Sequence, residues 1–377
     1  MKALLVENHW STAWEKVSSL PPSRLRLIIV GASLLACLSV PMLSKGPYAD
    51  LGGYSDHLRN TAVSWIAFHR GFEVYQKPYG KLIDEVPFRH AVQEWRDVPY
   101  INAPGALLLF APMAAIGQWV PLSDAAFGRL CLSFVVILAH WALWAVLKSL
   151  QSGALGVRIL VSLFSWTVLI RAGLNGQYDP VWVGCGALML AALSKGQWRR
   201  ALLLFSLAGF VHYRAVVLTP FAWPAIAQLF TSRSRRDKAV LLLAGAVAAM
   251  VISCFAIAIG SDDLFRDAPA LIHRPGDPLL LLAVGAAFIG AAIAVHLRDW
   301  MLVASVALVS LIALYDTQHW WHALIVLAPL LRVAVQPLRT PQLAQLSMLA
   351  WAIAIQNVWL ARPLALFKSL GRFASGI

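Results

Sequence analysis

The sequence predicts an all-helical protein that crosses a membrane many times. Of its 377 residues, 59% are hydrophobic and only 13% are charged, whereas a soluble domain carries roughly 25% charged residues. So few charges cannot cover a water-soluble surface, and we therefore expect lipid to be the solvent for most of the chain. A lone strand cannot satisfy its backbone hydrogen bonds in hydrocarbon, so the long apolar runs are predicted to be helices.

Apolar runs long enough to cross a bilayer recur along the whole chain, 1–377, which is predicted to form a single transmembrane domain. We expect about eleven transmembrane helices, within a range of about 10–13, on the criterion of roughly 20 residues for an untilted span. The expected spans lie near 25–43, 103–121, 125–148, 157–171, 179–194, 201–231, 239–260, 277–296, 299–315, 320–335 and 342–360.

The basic residues are concentrated in a few connections, and the net charge is +13. In a soluble protein this excess would suggest a nucleic-acid partner. In a membrane protein the positive-inside bias and attraction to anionic lipid explain it. The two densest clusters, 195–200 and 233–238, are predicted to face the cytoplasm together with the N-terminus, which makes 44–102 and 261–277 polar outer loops.

The stretch 201–231 lies between the two basic clusters and allows two arrangements. In the first, two short helices bend at 212–214, so that both clusters lie on the same side of the membrane. In the second, one long span with a polar break at 212–214 puts one cluster outside. Lys148 and Arg158 also favour the cytoplasm, and the sequence leaves the topology between 121 and 231 open.

The outer loop 44–102 holds seven of the eighteen acidic residues. Within it, 56–70 has apolar side chains at helical spacing and predicts an amphipathic helix at the membrane surface. Gly71 is expected to end this helix. A solvated cap would need no particular residue order, but here Asp56 begins the helix and Tyr75 follows it closely.

Further polar passages interrupt the apolar runs. Arg214 breaks a stretch of some thirty apolar residues, and a charge at membrane depth is costly and usually functional or paired. The passages are Asn102 before Pro104, Asn175-Gly-Gln177-Tyr-Asp179, His212-Tyr213-Arg214 between Gly209 and Pro220, and His319-Trp-Trp-His322 before Pro329.

The order of these residues resembles the GT-C membrane glycosyltransferases. It is most similar to glycosyltransferase family 87 and its polyprenyl-phosphate-mannose-dependent relatives. The resemblance covers about 50–335 and combines an Asp before a helix, a Gly-x-x-x-Tyr at Gly71 and Tyr75, and the polar passages named above. The family usually has Lys where this chain has Arg214, and this chain is at the short end of the family's lengths.

The resemblance implies a GT-C-type fold and an inverting glycosyltransferase. The enzyme would move a sugar, mannose as the first expectation, from a polyprenyl-phosphate donor to a glycolipid or cell-surface polysaccharide acceptor. It would lie in a bacterial inner (plasma) membrane, with its N-terminus in the cytoplasm and its active site, formed by the 44–102 loop, facing the periplasm. Its partners would be donor, acceptor and membrane lipids, with no nucleic acid. No cofactor is assigned beyond the lipid-linked sugar donor, and dependence on a divalent metal stays open.

This chemistry needs a carboxylate to take the proton of the acceptor hydroxyl and polar groups to stabilise the departing phosphate. Asp56 is the expected base and Asp50 the alternative; their purely structural roles would be a helix cap and a turn. The expected donor-phosphate ligands are Arg214, His212, Tyr213, His322, His319 and Arg59. The residues expected to line the site are Gln177, Asn175, Asp179, Tyr75 and Asn102.

A multi-pass secondary transporter or a lipid or oligosaccharide flippase is the alternative. Transporters usually contain inverted repeats, and we find no repeat in this sequence. An O-antigen ligase or polymerase would favour a large late outer loop. His319 and His322 lack a third ligand, so no metal site is predicted. No P-loop, GxSxG or HExxH motif occurs, which disfavours nucleotide-sugar chemistry at the cytoplasmic face.

Overall fold

A computed structural model describes residues 22–43, 56–89, 99–149 and 162–259, except for positions 101, 163, 164, 167, 168 and 171. Within these residues 84% of the chain is helical and there are no strands. The predicted all-helical class is therefore confirmed for this part, and the count of about eleven spans stays a prediction. Asp50, His319, His322 and the loop 261–277 lie outside the described residues.

The helices follow the apolar runs of the sequence. They are α1 (Pro22–Leu43), α2 (Asp56–Arg70), α3 (Glu73–Gln76), α4 (Pro104–Trp119), α5 (Asp124–Ser149), α6 (Pro180–Leu193), α7 (Trp198–Val211), α8 (Thr219–Phe230) and α9 (Arg235–Ile259). Short 3-10 helices cover Tyr79–Lys81, Ile83–Glu85 and Tyr213–Leu218. Pro104 and Pro180 start α4 and α6, at a position where the missing N–H of proline costs no hydrogen bond.

Two of the described helices are long and apolar enough to cross a membrane, Asp124–Ser149 in α5 and Arg235–Cys254 in α9. The most apolar stretch of α5 is 61% buried, because α5 packs against α1, α2 and α6. The corresponding stretch of α9 is 11% buried, and Leu242 on this helix is 75% exposed. By length and composition these helices favour a membrane protein.

The stretch 201–231 forms a helical hairpin. Helix α7 ends at Val211, His212 adopts an extended backbone, and the chain returns through Tyr213–Leu218 into α8. The start of α7 lies beside the end of α8, since Arg199 and Leu229 line one cavity. The structure therefore has the first of the two arrangements, in which the chain bends at 212–214 and comes back.

The hairpin brings the two basic clusters, 195–200 and 233–238, to one end of the helical bundle. Arg199 of the first cluster donates a hydrogen bond to Asp237 of the second, and Ser232 donates a hydrogen bond to the other oxygen of the same carboxylate. We call this region the basic end. Because α7 rises about 1.5 Å per residue, its 14 residues place His212 roughly 20 Å away from this end.

The opposite end of the bundle, which we call the aromatic end, is formed around Tyr100, Tyr178 and His212. Close backbone approaches hold it together. A Cβ on Gly105, at the start of α4, would lie 2.5 Å from the carbonyl oxygen of Phe210 at the end of α7. Only glycine permits this contact, so α4 and the tip of the hairpin meet directly.

Candidate active site

Helix α2 begins at Asp56 as predicted, and Gly71, with a φ of 62°, ends it. Most of the first eleven residues of α2 are buried against α4 and α5, and the location of this helix at a membrane surface stays a prediction. Its polar side chains are satisfied inside the protein. Ser64 donates a hydrogen bond to the carbonyl of Leu107 at 2.6 Å, and Thr61 donates one to the carbonyl of His57 at 2.7 Å.

Asp56 and Arg59 form an ion pair at the start of α2, with 3.1 Å between Oδ1 and Nη2. Their side chains are 21% and 15% exposed, so the pair lies mostly inside the aromatic end and still reaches solvent. The spacing of one helical turn puts both side chains on one face of the helix. The structure thus brings together the predicted base and one predicted phosphate ligand.

Asn60 links this helix to the start of α4. Its Oδ1 accepts a hydrogen bond from the hydroxyl of Tyr100 at 2.8 Å and a longer one from Nδ2 of Asn102 at 3.4 Å. Its Nδ2 donates to the carbonyl of Asp56 at 2.7 Å. Asn102, predicted to line the site, is therefore linked to the backbone of Asp56 through the side chain of Asn60.

The connection before α6 lies against α2, as its predicted site role requires. Gly176 has a φ of 76°, and a Cβ there would lie 2.2 Å from Nδ1 of His57. The connection includes Asn175, Gln177 and Asp179, of which Gln177 and Asp179 are buried. These residues therefore belong to the aromatic end, far from the basic cluster at 195–200.

The tip of the hairpin joins the same group of residues. Nε2 of His212 lies 3.3 Å from Oδ1 of Asp179, and both side chains are buried. The ring of His212 also packs against Tyr178 and Tyr213, with centroid distances of 5.4 and 4.9 Å. Two predicted phosphate ligands, His212 and Tyr213, thus lie beside the predicted lining residue Asp179.

Two other predicted residues stand differently. The backbone of Arg214 lies in the 3-10 helix at the hairpin tip, but its side chain is outside the described part. Tyr75 is fully buried, and its ring packs edge-on against Tyr100 at 5.7 Å. Tyr75 therefore packs against the ring of Tyr100 in the protein interior.

Burial and charge shift the titration of three groups at this end. Burial opposes the charge of Arg59, but the Asp56 carboxylate, with Tyr100, Tyr79 and Tyr178, outweighs it and raises the pKa of Arg59. Burial lowers the pKa of His57 to about 4, so this imidazole is neutral at pH 7. Burial also raises the pKa of Tyr100, which keeps its hydroxyl protonated as a hydrogen-bond donor.

The sequence did not single out Asn60, His57 or Tyr178. Asn60 is one turn after Asp56 (i, i+4) on a helix that places such residues on one face, so its polarity was a usable signal. Tyr178 stands inside the polar passage 175–179 and could have been chosen with its neighbours. His57 had no such signal, because its contact with Gly176 joins parts of the chain that are far apart in sequence.

The geometry provides a partly exposed carboxylate, a guanidinium fixed against it, and hydroxyl and imidazole groups within the same buried cluster. Among the described residues, no group of three or more His, Cys, Asp or Glu side chains is placed to hold a metal ion. Comparison with known proteins found no family, no curated protein and no solved structure that matches this chain.

Proposed function

We propose that this chain is an inverting GT-C-type membrane glycosyltransferase that uses a polyprenyl-phosphate sugar, with mannose as the first donor to test. The acceptor is a glycolipid or a cell-surface polysaccharide. The observation that carries the proposal is the partly exposed Asp56–Arg59 pair, 3.1 Å apart. A base and a cation are thereby held together beside the polar residues at 175–179 and 212–213.

Asp56 is the base in this mechanism. The acceptor hydroxyl attacks the anomeric carbon and forms the new glycosidic bond while its proton passes to the Asp56 carboxylate. The bond between that carbon and the phosphate oxygen breaks, and its electron pair leaves with the polyprenyl phosphate. A single displacement inverts the configuration at the anomeric carbon, and no second carboxylate is needed as a nucleophile.

Arg59, His212 and Tyr213 stabilise the departing phosphate in this mechanism, together with Arg214 at the hairpin tip. The charge on the phosphate grows as the bond breaks, so donors fixed in advance lower the barrier most. The planar guanidinium of Arg59 suits both a carboxylate and a phosphate. Nε2 of His212 lies 3.3 Å from the Asp179 carboxylate, which orients the imidazole within this cluster.

The orientation that we propose has the basic end in the cytoplasm and Asp56 open to the periplasm of a bacterial inner membrane. It is supported by the location of the clusters 195–200 and 233–238 at one end and the Asp56–Arg59 pair at the other. The positive-inside rule then fixes the direction. About eleven spans are part of the same proposal.

The test is sugar transfer by the purified full chain, with a panel of polyprenyl-phosphate sugars and crude lipid acceptors. Asp56→Asn is expected to lower the rate by about 100-fold or more, because a general base contributes roughly 10²–10⁴-fold. Asp124→Asn is the matched control, since Asp124 is also the first residue of a helix but is exposed. It should keep the wild-type rate.

The outcomes separate base, cap and transport. Equal loss in both variants would reduce Asp56 to a helix-capping role, and full activity of Asp56→Asn would remove it from the mechanism. No transfer with any donor, together with substrate uptake into vesicles, would favour the transporter or flippase. Labelling of a cysteine at position 56 from the cytoplasmic side alone would overturn the orientation.

A further inference from the structure

A cavity of about 470 Å³ lies at the basic end, where the hairpin begins and ends. Its walls come from three elements. The turn before α7 and the first residues of α7 contribute Gln197, Arg199 and Arg200, the end of α8 contributes Gln228, and Asp237 comes from the start of α9. It is roughly 20 Å, the length of α7, from His212, and so is separate from the candidate active site.

The cavity wall holds a fixed guanidinium. Arg199 donates a hydrogen bond to Asp237, whose other oxygen accepts one from the hydroxyl of Ser232 at 2.5 Å. Asp237 is 7% exposed and is the only acidic residue in the clusters 195–200 and 233–238, which contain seven Lys and Arg. Asp237 offsets only one of these seven positive charges, so the surroundings of the cavity stay strongly positive.

The first turn of α7 adds to this positive field. Trp198, Arg199 and Arg200 are its first residues, and the first N–H groups of a helix have no acceptor within it. These groups and the helix dipole favour an anion at this position. Gln197, Gln228 and Ser232 supply neutral polar groups around the same cavity.

Apolar surface borders the cavity. Leu229 lines it, and the adjacent Phe230 is 78% exposed. Beyond Asp237, α9 is apolar and mostly exposed, since its most apolar stretch is only 11% buried. A ligand that combines a phosphate with hydrocarbon chains would satisfy both surfaces, whereas a free anion would use only the first.

We propose that this cavity binds the phosphate headgroup of an anionic phospholipid, whose acyl chains lie along α8 and α9. Arg199 and Arg200 contact the phosphate, since arginine recognises phosphate oxygens through two parallel hydrogen bonds. The bound lipid joins the foot of the hairpin to α9 and thereby steadies the segment that carries His212. The proposal concerns binding alone and does not depend on glycosyl transfer.

The test uses the purified full chain in detergent and short-chain lipids. Dihexanoyl phosphatidylglycerol is expected to raise the Tm with a saturable dose response, whereas dihexanoyl phosphatidylcholine and inorganic phosphate are not. Arg200→Gln should weaken the apparent affinity for phosphatidylglycerol by about tenfold, because a charge-assisted hydrogen bond is lost. Arg236→Gln is the matched control, because Arg236 is exposed in the same region and does not line the cavity.

Each result decides the proposal. A defined site is supported if Arg200→Gln weakens the apparent affinity for phosphatidylglycerol while Arg236→Gln changes it by less than twofold. Equal effects on both variants would mean general attraction to the basic end and would overturn it. An equal response to inorganic phosphate would replace the lipid by a free anion, and an equal response to phosphatidylcholine would remove the anionic headgroup. Arg200 is exposed, so its variant is expected to fold.

Discussion

The two ends of the helical bundle hold their charges in different ways. At the aromatic end, Asp56 and Arg59 are mostly buried and lie near tyrosines and polar side chains. At the basic end, the Lys and Arg side chains of the clusters 195–200 and 233–238 are exposed, and only their partner Asp237, 10% exposed, is buried. Charges removed from water have to be paired or hydrogen-bonded, whereas exposed charges repel one another weakly through solvent.

The difference explains where substitutions should matter. The aromatic end depends on specific partners, so that losing one side chain leaves another without its contact. The Lys and Arg side chains of the basic end are exposed, so that single neutral substitutions of these cations have small effects on folding. Residues of the aromatic end should therefore be more sensitive to substitution than matched residues elsewhere, most strongly at Gly176 and least at Tyr100.

Gly176→Ala is expected to have the largest effect, a loss of folded protein. The added Cβ would meet His57 at 2.2 Å, and the φ of 76° is strained for alanine. Gly196, at the basic end, has a φ of 65° with nothing within 4 Å of its Cβ position. Gly196→Ala should therefore cost only about 1–2 kcal/mol and still give folded protein. The yield and Tm of the two purified variants measure the difference. Equal yields would mean that the His57 side chain moves aside at little cost.

Arg59→Gln comes next, with an expected loss of about 4 kcal/mol in the free energy of unfolding. Removing one partner of a buried pair leaves the other charge without compensation. Arg70, at the end of the same helix, pairs with Glu85, and both side chains are nearly half exposed. Arg70→Gln should leave stability unchanged within error. Denaturant titrations of the two variants compare them, and similar losses would mean that burial does not set the difference.

His57 should make stability fall in acid by about 3 kcal/mol. Its pKa is about 4 in the fold and roughly 6.5 in the unfolded chain, so the unfolded chain binds the proton first. The contribution is complete above about pH 6.5 and is lost as the pH falls toward 4. His57→Gln should flatten this part of the Tm profile. The exposed His69 is the control, and a flattened profile in His69→Gln would assign the loss to another group.

Tyr100→Phe has the smallest expected effect, about 1–2 kcal/mol, because Asn60 loses a buried donor at 2.8 Å. Ser194 offers a comparison near the basic end, where its exposed hydroxyl donates to the carbonyl of Ala191 at 2.9 Å. Ser194→Ala should change stability by less than about 0.5 kcal/mol. A Tyr100→Phe variant as stable as wild type would show that the hydrogen bond adds nothing to packing.

Within the described residues the sequence predicts the apolar helices well, because long apolar runs and terminal residues are local signals. Asp56 and Gly71 mark the two ends of α2 correctly. The burial of its polar side could not be predicted. Periodicity shows which side chains are apolar, but it does not show which distant residues the polar side chains contact. The buried hydroxyl of Ser64 donates its hydrogen bond to the carbonyl of Leu107, 43 residues away. The buried amide of Asn60 accepts one from Tyr100, 40 residues away.

The same limit applies to the candidate site. The Asp56–Arg59 pair follows from their spacing on one helix. The approach of Asp179 to His212 does not follow from spacing, because it depends on how the hairpin turns back. The hairpin likewise brings Arg199 into contact with Asp237, which is 38 residues away and gives no local signal in the sequence.

The short legs of the hairpin also bear on how the chain would enter a bilayer. With 14 and 12 residues, α7 and α8 are roughly 20 Å long or less, short of the roughly 30 Å of hydrocarbon. In a bilayer, each leg alone would require local thinning of the hydrocarbon, which costs free energy, so we expect the two legs to enter together after α6. Until α9 emerges from the ribosome and Asp237 reaches Arg199, the foot of the hairpin has no carboxylate to hold it. Truncation before α9 should therefore leave a nascent chain that membrane quality-control proteases degrade.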